Sequence, residues 1–100
     1  MGKYAPRYAQ KPDSNQPEIV TALEKIGCSV YDASRVGKIP DLIVGYRGCT
    51  LLLEVKTPKG RLSSEQVEWH KEWRGHSCVV RSPKEAIEAV LTYVKNHQIR

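Results

Sequence analysis

The sequence predicts an α/β fold whose elements follow the order α-β-β-β-α-β-α. Two β-prone runs, 41–46 and 49–55, flank the pair Arg47-Gly48, which has the length of a tight hairpin turn. Segments with the apolar spacing of helices lie on both sides of this hairpin. The chain has 100 residues, a length that fits one hydrophobic core and therefore a single domain.

The first helix is predicted to begin with Asn15 as its N-cap, Pro17 in its first turn and Glu18 as the capping-box partner. Gly27 ends it. Its apolar face is formed by Ile19, Leu23 and Ile26. A short strand is predicted at 28–31, before a loop that leads into the hairpin.

A second helix is predicted to begin at Ser63, which forms a capping box with Gln66, and to run to about Arg74. A strand at 77–81 follows, and Ser82 begins the last helix. The apolar stripe of that helix consists of Ala86, Ile87, Val90, Leu91 and Val94.

The formal net charge is +5, from 16 Lys and Arg against 11 Asp and Glu, which favours a polyanionic partner. Residues 1–16 are predicted to form a basic flexible arm, and 17–100 the folded domain. The arm has two interpretations, a tail that contacts phosphates and bases or an unordered terminus. Its basic and aromatic residues are Lys3, Arg7, Lys11, Tyr4 and Tyr8.

The three cysteines, Cys28, Cys49 and Cys78, lack C-x-x-C spacing and lie in β-prone segments. We expect them to be small buried apolar residues in a reducing cytoplasm, with no structural zinc site. No run approaches the about 20 apolar residues of a membrane span, and the N-terminus has no signal-peptide core. The sequence therefore predicts a cytoplasmic protein that is not secreted and has no membrane partner.

The two-residue turn predicts a register in which Tyr46 faces Cys49 and Asp41 faces Glu54, with Lys56 on the same face as Glu54. Opposed carboxylates repel each other and destabilise a sheet, and a bound Mg²⁺ would offset this repulsion. The alternative is a salt bridge between Lys56 and either carboxylate.

A family resemblance rests on these residues. Pro40-Asp41, followed by Glu54-Val55-Lys56, resembles the PD-(D/E)xK nuclease motif. The longer pattern, with IPDL at 39–42, EVKTPKGRLS at 54–63 and then Gln66, resembles the VRR-NUC subfamily of viral-type replication and repair nucleases, of the stand-alone phage or bacterial type. The resemblance extends from Glu18 to the final helix.

The resemblance implies a restriction-endonuclease-like core with a mixed central sheet flanked by helices. It also implies that Asp41, Glu54 and the backbone carbonyl of Val55 bind Mg²⁺, for which Mn²⁺ can substitute, with no small-molecule cofactor. Lys56 would position or help to deprotonate the attacking water and offset charge on the phosphate.

Two further residues have two interpretations each. By resemblance Glu18 is an additional metal-site acid, but it also fits an ordinary capping box. Gln66 corresponds to a glutamine near the active site that holds a phosphate or the attacking water, but it also fits the capping box of the second helix. Its helical stripe, shared with Leu62, Trp69 and Trp73, predicts that its amide points inward.

Basic residues near the motif, Arg35, Lys38, Lys59 and Arg61, are candidates for DNA-phosphate contacts or for a solvated loop. Trp69 and Trp73 are expected to pack in the core, with nucleobase stacking or a subunit contact as alternatives. His70, His76 and His97 show no paired ligand spacing and are expected to be surface or packing residues.

The leading functional hypothesis is an Mg²⁺-dependent endonuclease that cuts branched DNA, such as four-way (Holliday) junctions, as a homodimer in repair and recombination. Stand-alone members of the resembled subfamily look like symmetric dimers suited to such junctions. The alternatives are a flap or general structure-specific nuclease within a repair or replication assembly, and a non-catalytic basic DNA-binding module.

Overall fold

The computed structural model describes residues 14–98, and the elements along them follow the predicted order. Residues 1–13, most of the predicted arm, lie outside the described part. None of the described helices is long and apolar enough to cross a membrane. The elements are α1 Gln16–Lys25, β1 Ser29–Asp32, β2 Leu42–Tyr46, β3 Cys49–Val55, α2 Ser64–Glu72, β4 Ser77–Val80 and α3 Pro83–Gln98.

The four strands form one mixed sheet in the order β1-β2-β3-β4. The pairs β1-β2 and β2-β3 are antiparallel, whereas β3 and β4 are parallel. A parallel pair needs a crossover connection, and α2 lies within that connection. The predicted α/β class with a mixed central sheet is confirmed.

The hairpin has the register that its turn predicts. Arg47 has φ 51° and Gly48 has φ 81°, the two positive values that a type I′ turn requires. Tyr46 pairs with Cys49, and the ladder ends at Leu42 and Leu53. The next residues along the two strands are Asp41 and Glu54, so the turn aligns the two acidic residues of the proposed motif.

The hydrophobic core lies on one face of the sheet, under α1 and α3. Alternate residues of β3 face it, and each fully buried leucine contributes roughly 1.5 to 3 kcal/mol of transfer free energy. The buried residues are Ile19, Leu23, Cys28, Leu42, Val44, Leu51, Leu53, Val55, Val80, Ala86, Val90 and Val94.

Helix α2 differs from the prediction. It ends at Glu72 rather than near Arg74, and none of its residues is buried. Trp73 is 45% exposed and Trp69 is half-buried, so the expectation that both pack in the core is wrong. The physical reason is that α2 covers the sheet face that carries Glu54, away from the core under α1 and α3.

The start of α1 also differs. Asn15 makes no side-chain capping bond, so the predicted capping box with Glu18 is absent. Instead, Asn15 Nδ2 donates to the carbonyl of Lys56 at 3.1 Å and to that of Arg81 at 3.0 Å. Tertiary bonds at the ends of β3 and β4 have replaced the local cap. Gln16 begins the helix with a side chain only 3% exposed, one residue before the predicted domain boundary.

The other end of α1 is as predicted. Gly27, at φ 104°, ends the helix, and the amide of Cys28 donates to the carbonyl of Leu23 at 3.0 Å. All three cysteines are free, and burial raises the pKa of Cys28 and Cys78. Cys28 is buried as expected, whereas Cys49 and Cys78 are only half-buried.

We expect Asn15→Ala to lower the free energy of unfolding by roughly 1 to 3 kcal/mol, because two carbonyl acceptors lose their donor. Asn15→Asp should cost more at neutral pH, since a carboxylate would then face both carbonyls. Urea denaturation measures both variants, and Ser14→Ala serves as the exposed neighbouring control. Equal stability of wild type and Asn15→Asp would refute the role given to this amide.

Candidate active site

Glu54 stands at the end of β3 with only 3% of its surface exposed. The Nε2 amide of Gln66, on α2, donates to its Oε2 at 3.2 Å. The Oε1 atom of Gln66 accepts from the backbone amide of Ser63 at 2.9 Å, completing the predicted capping box. The capping-box interpretation of Gln66 is confirmed, and the same side chain places its amide against Glu54.

His70 is a site residue that the sequence analysis did not identify. Its Nε2 lies 3.7 Å from Oε1 of Glu54, and its Nδ1 shares a hydrogen bond of 2.8 Å with the hydroxyl of Ser77. Burial lowers the pKa of His70, which favours the neutral imidazole. Nε2 is buried and has no hydrogen-bond partner within 14–98. The available signal was its spacing of four from Gln66, which puts both side chains on one helix face.

Asp41 is fixed beside Glu54 through the backbone. Its Oδ2 accepts a hydrogen bond from the amide of Val55 at 2.9 Å. This bond lies just beyond Leu42 and Leu53, the last residues that pair between β2 and β3. Its own carbonyl accepts from the amide of Ala33 at 2.7 Å. The Asp41 carboxylate is thereby held against the peptide that joins Glu54 to Val55.

Lys56 continues β3 by one residue, because its amide donates to the carbonyl of Val80 at 3.0 Å. Its carbonyl accepts from Asn15, so its backbone is held on both sides. Alternation along an extended strand puts Lys56 and Glu54 on the same face of the sheet. The structure thus gathers the predicted residues Asp41, Glu54 and Lys56 at one end of the hairpin.

An open cleft of about 340 Å³ lies over this end of the sheet. Its lining includes Glu54 and Lys38, together with Gln66, Trp69 and His70 of α2. Lys38 has φ 65°, a left-handed conformation that costs roughly 1 to 3 kcal/mol in a residue with a side chain. Such strain is typical of functional loops, and here it carries a lysine into the cleft.

The loop after Lys56 is held by a residue that the sequence analysis did not single out. Arg81 Nη1 donates to the carbonyl of Thr57 at 2.9 Å and to that of Gly60 at 2.6 Å. The loop carries Lys59 and leads to Arg61, and both side chains are exposed. Arg81 therefore fixes the backbone beside two predicted DNA-binding residues.

Three of the predicted site residues are among the described residues that line the cleft, namely Lys38, Glu54 and Gln66. The others are outside this lining: Asp41, Val55, Lys56, Lys59, Arg61, Glu18 and Arg35. Glu18 is exposed in the first turn of α1, and Arg35 is exposed in the loop before β2. Arg35 lies near Asp32, whose pKa is lowered mainly by a hydrogen bond from Ser34 and to a smaller extent by the Arg35 charge.

Comparison with known proteins identifies the fold. No family model matches the sequence, and no curated protein matches it. A solved structure of a "VRR_NUC domain" matches with a TM-score of 0.62 and 24% identity, over 79% of this chain and 97% of that chain. The chain has the fold of that domain. The match agrees with the order α-β-β-β-α-β-α and the mixed sheet of a restriction-endonuclease-like core.

The VRR_NUC-like fold presents hard oxygen donors at the cleft. Within 14–98, no three His, Cys, Asp or Glu side chains are grouped so that they could hold a metal ion by themselves. Mg²⁺, however, uses one or two carboxylates and completes its octahedron with water and phosphate oxygens. The carboxylates of Asp41 and Glu54 are oxygen donors of this kind and fit such a cation.

We expect stability to fall as the pH is lowered from about 7.5 to about 5.5. Burial lowers the pKa of both His70 and His76, so the unfolded chain binds protons below the ordinary imidazole value of about 6.5, whereas the folded protein resists them. The stability of the neutral form is complete above that value and is lost below it. Urea midpoints across this range should show a smaller pH dependence in His70→Gln/His76→Gln; an unchanged dependence would contradict the assignment.

Proposed function

We propose that this protein is a metal-dependent nuclease that hydrolyses phosphodiester bonds in DNA. The observation that carries the proposal is the carboxylate of Glu54, buried beside an open cleft, with Asp41 bound to the next peptide. Removing a carboxylate from water costs free energy unless other groups compensate its charge. A buried carboxylate that lines an open cleft is therefore a candidate for a functional group. The VRR_NUC-like fold supports the same proposal.

Asp41, Glu54 and the carbonyl of Val55 are the residues that would hold Mg²⁺, with Mn²⁺ as a substitute. When bound, the cation supplies a more acidic water and a polarised phosphoryl oxygen. Its preference for carboxylate oxygens and water matches this donor set.

Two side chains of this protein would assist the hydrolysis. The Lys56 ammonium orients the attacking water and offsets negative charge on the scissile phosphate, while Gln66 holds the Glu54 carboxylate in place. The water oxygen gives up a proton and forms a bond to phosphorus, one ester P–O bond breaks, and the leaving oxygen takes up a proton in return. No covalent enzyme intermediate is needed.

Four basic residues would hold the DNA backbone around the reacting bond. Lys38 lines the cleft, and Lys59 and Arg61 stand near the loop that Arg81 fixes. Arg35 lies three residues before Lys38 in the same loop, outside the cleft lining. With a net charge of +5, these residues favour phosphate contacts that carry no sequence information.

The proposed substrate is branched DNA, such as a four-way junction, and the proposed active form is a homodimer. A four-way junction presents two equivalent strands, so paired incision needs two copies of the single site that Asp41 and Glu54 form in each chain. Such an enzyme would act in repair or recombination in the cytoplasm of a bacterial or phage-infected cell.

We expect purified protein with Mg²⁺ to cut a synthetic four-way junction. Asp41→Asn, Glu54→Gln and Lys56→Ala should each slow cleavage at least about a hundredfold, because each removes a group that acts on the reacting phosphate or water. Binding to the same junction in EDTA should survive. Lys95→Ala, an exposed lysine on α3, is the matched charge control and should cut like the wild type.

A panel of junction, 5′ flap, 3′ flap, splayed and linear duplex substrates tests the branch preference, and solution mass tests the dimer. Faster cutting of flaps by a monomer would replace the junction assignment with a flap nuclease. Wild-type cleavage by Lys56→Ala would contradict the mechanism, and tight binding without cleavage of any substrate would indicate a DNA-binding module.

Metal binding is tested without DNA. Calorimetric titration with Mn²⁺ should give heat that depends on Asp41 and Glu54, so Asp41→Asn and Glu54→Gln should lose it. Glu88→Gln, an exposed carboxylate on α3, should titrate like the wild type. Identical heats for all three variants would mean that the cation binds elsewhere.

A further inference from the structure

Helix α2 presents two stacked indoles outside the hydrophobic core. The rings of Trp69 and Trp73 lie 4.9 Å apart between centroids, with 17° between their planes. Trp73 is 45% exposed, and α2 has no buried residue. Aromatic side chains of this size usually contribute to a core, so a stacked pair that is half-buried at Trp69 and exposed at Trp73 suits a ligand or a partner.

The stacked pair begins in the active-site cleft. Trp69 lines the cleft together with Glu54, and its ring meets that of His70 edge-on at 5.2 Å and 77°. Trp73 follows one helical turn later, so the pair leads outward from Glu54 to the surface. A molecule whose phosphate occupies the cleft would therefore have the Trp73 ring close to its neighbouring groups.

Trp73 packs against its own chain. A Cβ atom on Gly75 would lie 2.8 Å from Trp73 Nε1 and 3.2 Å from its Cε2, so the indole packs closely on the glycine. The Trp73 amide donates to the Trp69 carbonyl at 3.0 Å. These contacts, with the stacking on Trp69, place the ring without a ligand, and such preorganisation lowers the entropy cost of binding.

The charge around the pair favours a base rather than a phosphate as the group that touches it. Over residues 65–74 the exposed acids Glu65, Glu68 and Glu72 outnumber the exposed bases Lys71 and Arg74 by one. This surface therefore attracts a phosphate less than the basic residues do, which are Lys38 at the cleft and Lys59 and Arg61 in the segment after Lys56. A flat neutral nucleobase suits the indole face.

We propose that Trp73, supported by Trp69, stacks an unpaired nucleobase next to the phosphate that occupies the cleft. The proposal rests on the proposed nuclease function and specifies its substrate class, DNA with a base unstacked at or beside the cut. Bases inside a continuous duplex are already stacked on both sides. The pair therefore selects flaps, single-stranded arms or opened branch points.

Intrinsic fluorescence tests the stacking directly, because the chain contains only two tryptophans. The titration is done in EDTA, where no metal-dependent cleavage occurs. A single-stranded oligonucleotide should quench the emission strongly. A blunt duplex, and a single strand with abasic sites in place of bases, should quench it weakly although both carry the same phosphates.

Three variants separate stacking from general packing. Trp73→Ala should weaken single-strand binding about tenfold and leave duplex binding unchanged, and Trp73→Phe should recover part of the loss. Gly75→Ala keeps both indoles but displaces the Trp73 ring, so it should weaken single-strand binding as well. Val67→Ala, which changes a 45% exposed residue of the same helix, should bind like the wild type. Circular dichroism checks the fold of each variant.

Equal single-strand binding by wild type and Trp73→Ala would overturn the proposal, as would equal quenching by duplex and single strand. A fluorescence change that follows protein concentration without DNA would assign the pair to a contact between subunits and would also overturn it. The experiments distinguish failure of the proposed nuclease function from failure of the stacking proposal. Quenching without any cleavage would sink the proposed function alone, and cleavage without single-strand preference would sink this inference alone.

Discussion

The structure depends on the burial of one carboxylate. Glu54 ends an apolar strand and is 3% exposed, and a buried carboxylate without partners costs several kcal/mol. Helix α2 contributes to the compensation through the hydrogen bond from Gln66, although none of its own residues is buried. This helix is therefore positioned largely by the polar site that it covers, and displacement of α2 would expose Glu54 and open the cleft together.

The ends of β3 and β4 and the start of α1 meet at the same edge of the sheet. Because β3 and β4 are parallel, their carboxyl ends lie side by side, as they do at binding crevices of α/β sheets. Asn15 joins both strand ends to the start of α1, and Arg81 joins the end of β4 to the loop after Lys56. The backbone at Lys56 and Thr57 is therefore held by hydrogen bonds to Val80, Asn15 and Arg81, and a functional site needs support of this kind.

Sequence patterns predicted correctly those features that depend on contacts between residues close together in the chain. The turn at Arg47-Gly48 gave the hairpin register, and the Ser63 capping box gave the start of α2. The remaining differences arise from contacts between residues far apart in the chain. Asn15 bonds across 41 and 66 residues, which no capping pattern encodes. His70 gains its place only once α2 lies over Glu54, and Trp69 and Trp73 follow a helical stripe that faces this site instead of the core.

The attachment of Asn15 has a practical consequence for protein engineering. A fluorophore attached at Ser14 would lie at the edge of the sheet where β3 and β4 end, one residue from the amide that bonds to Lys56 and Arg81. Helix α3 leaves that edge at Pro83 and extends over 16 residues, about 24 Å. A label near its far end, for example at Lys95, stays clear of that edge and leaves the cleft beside Glu54 unobstructed.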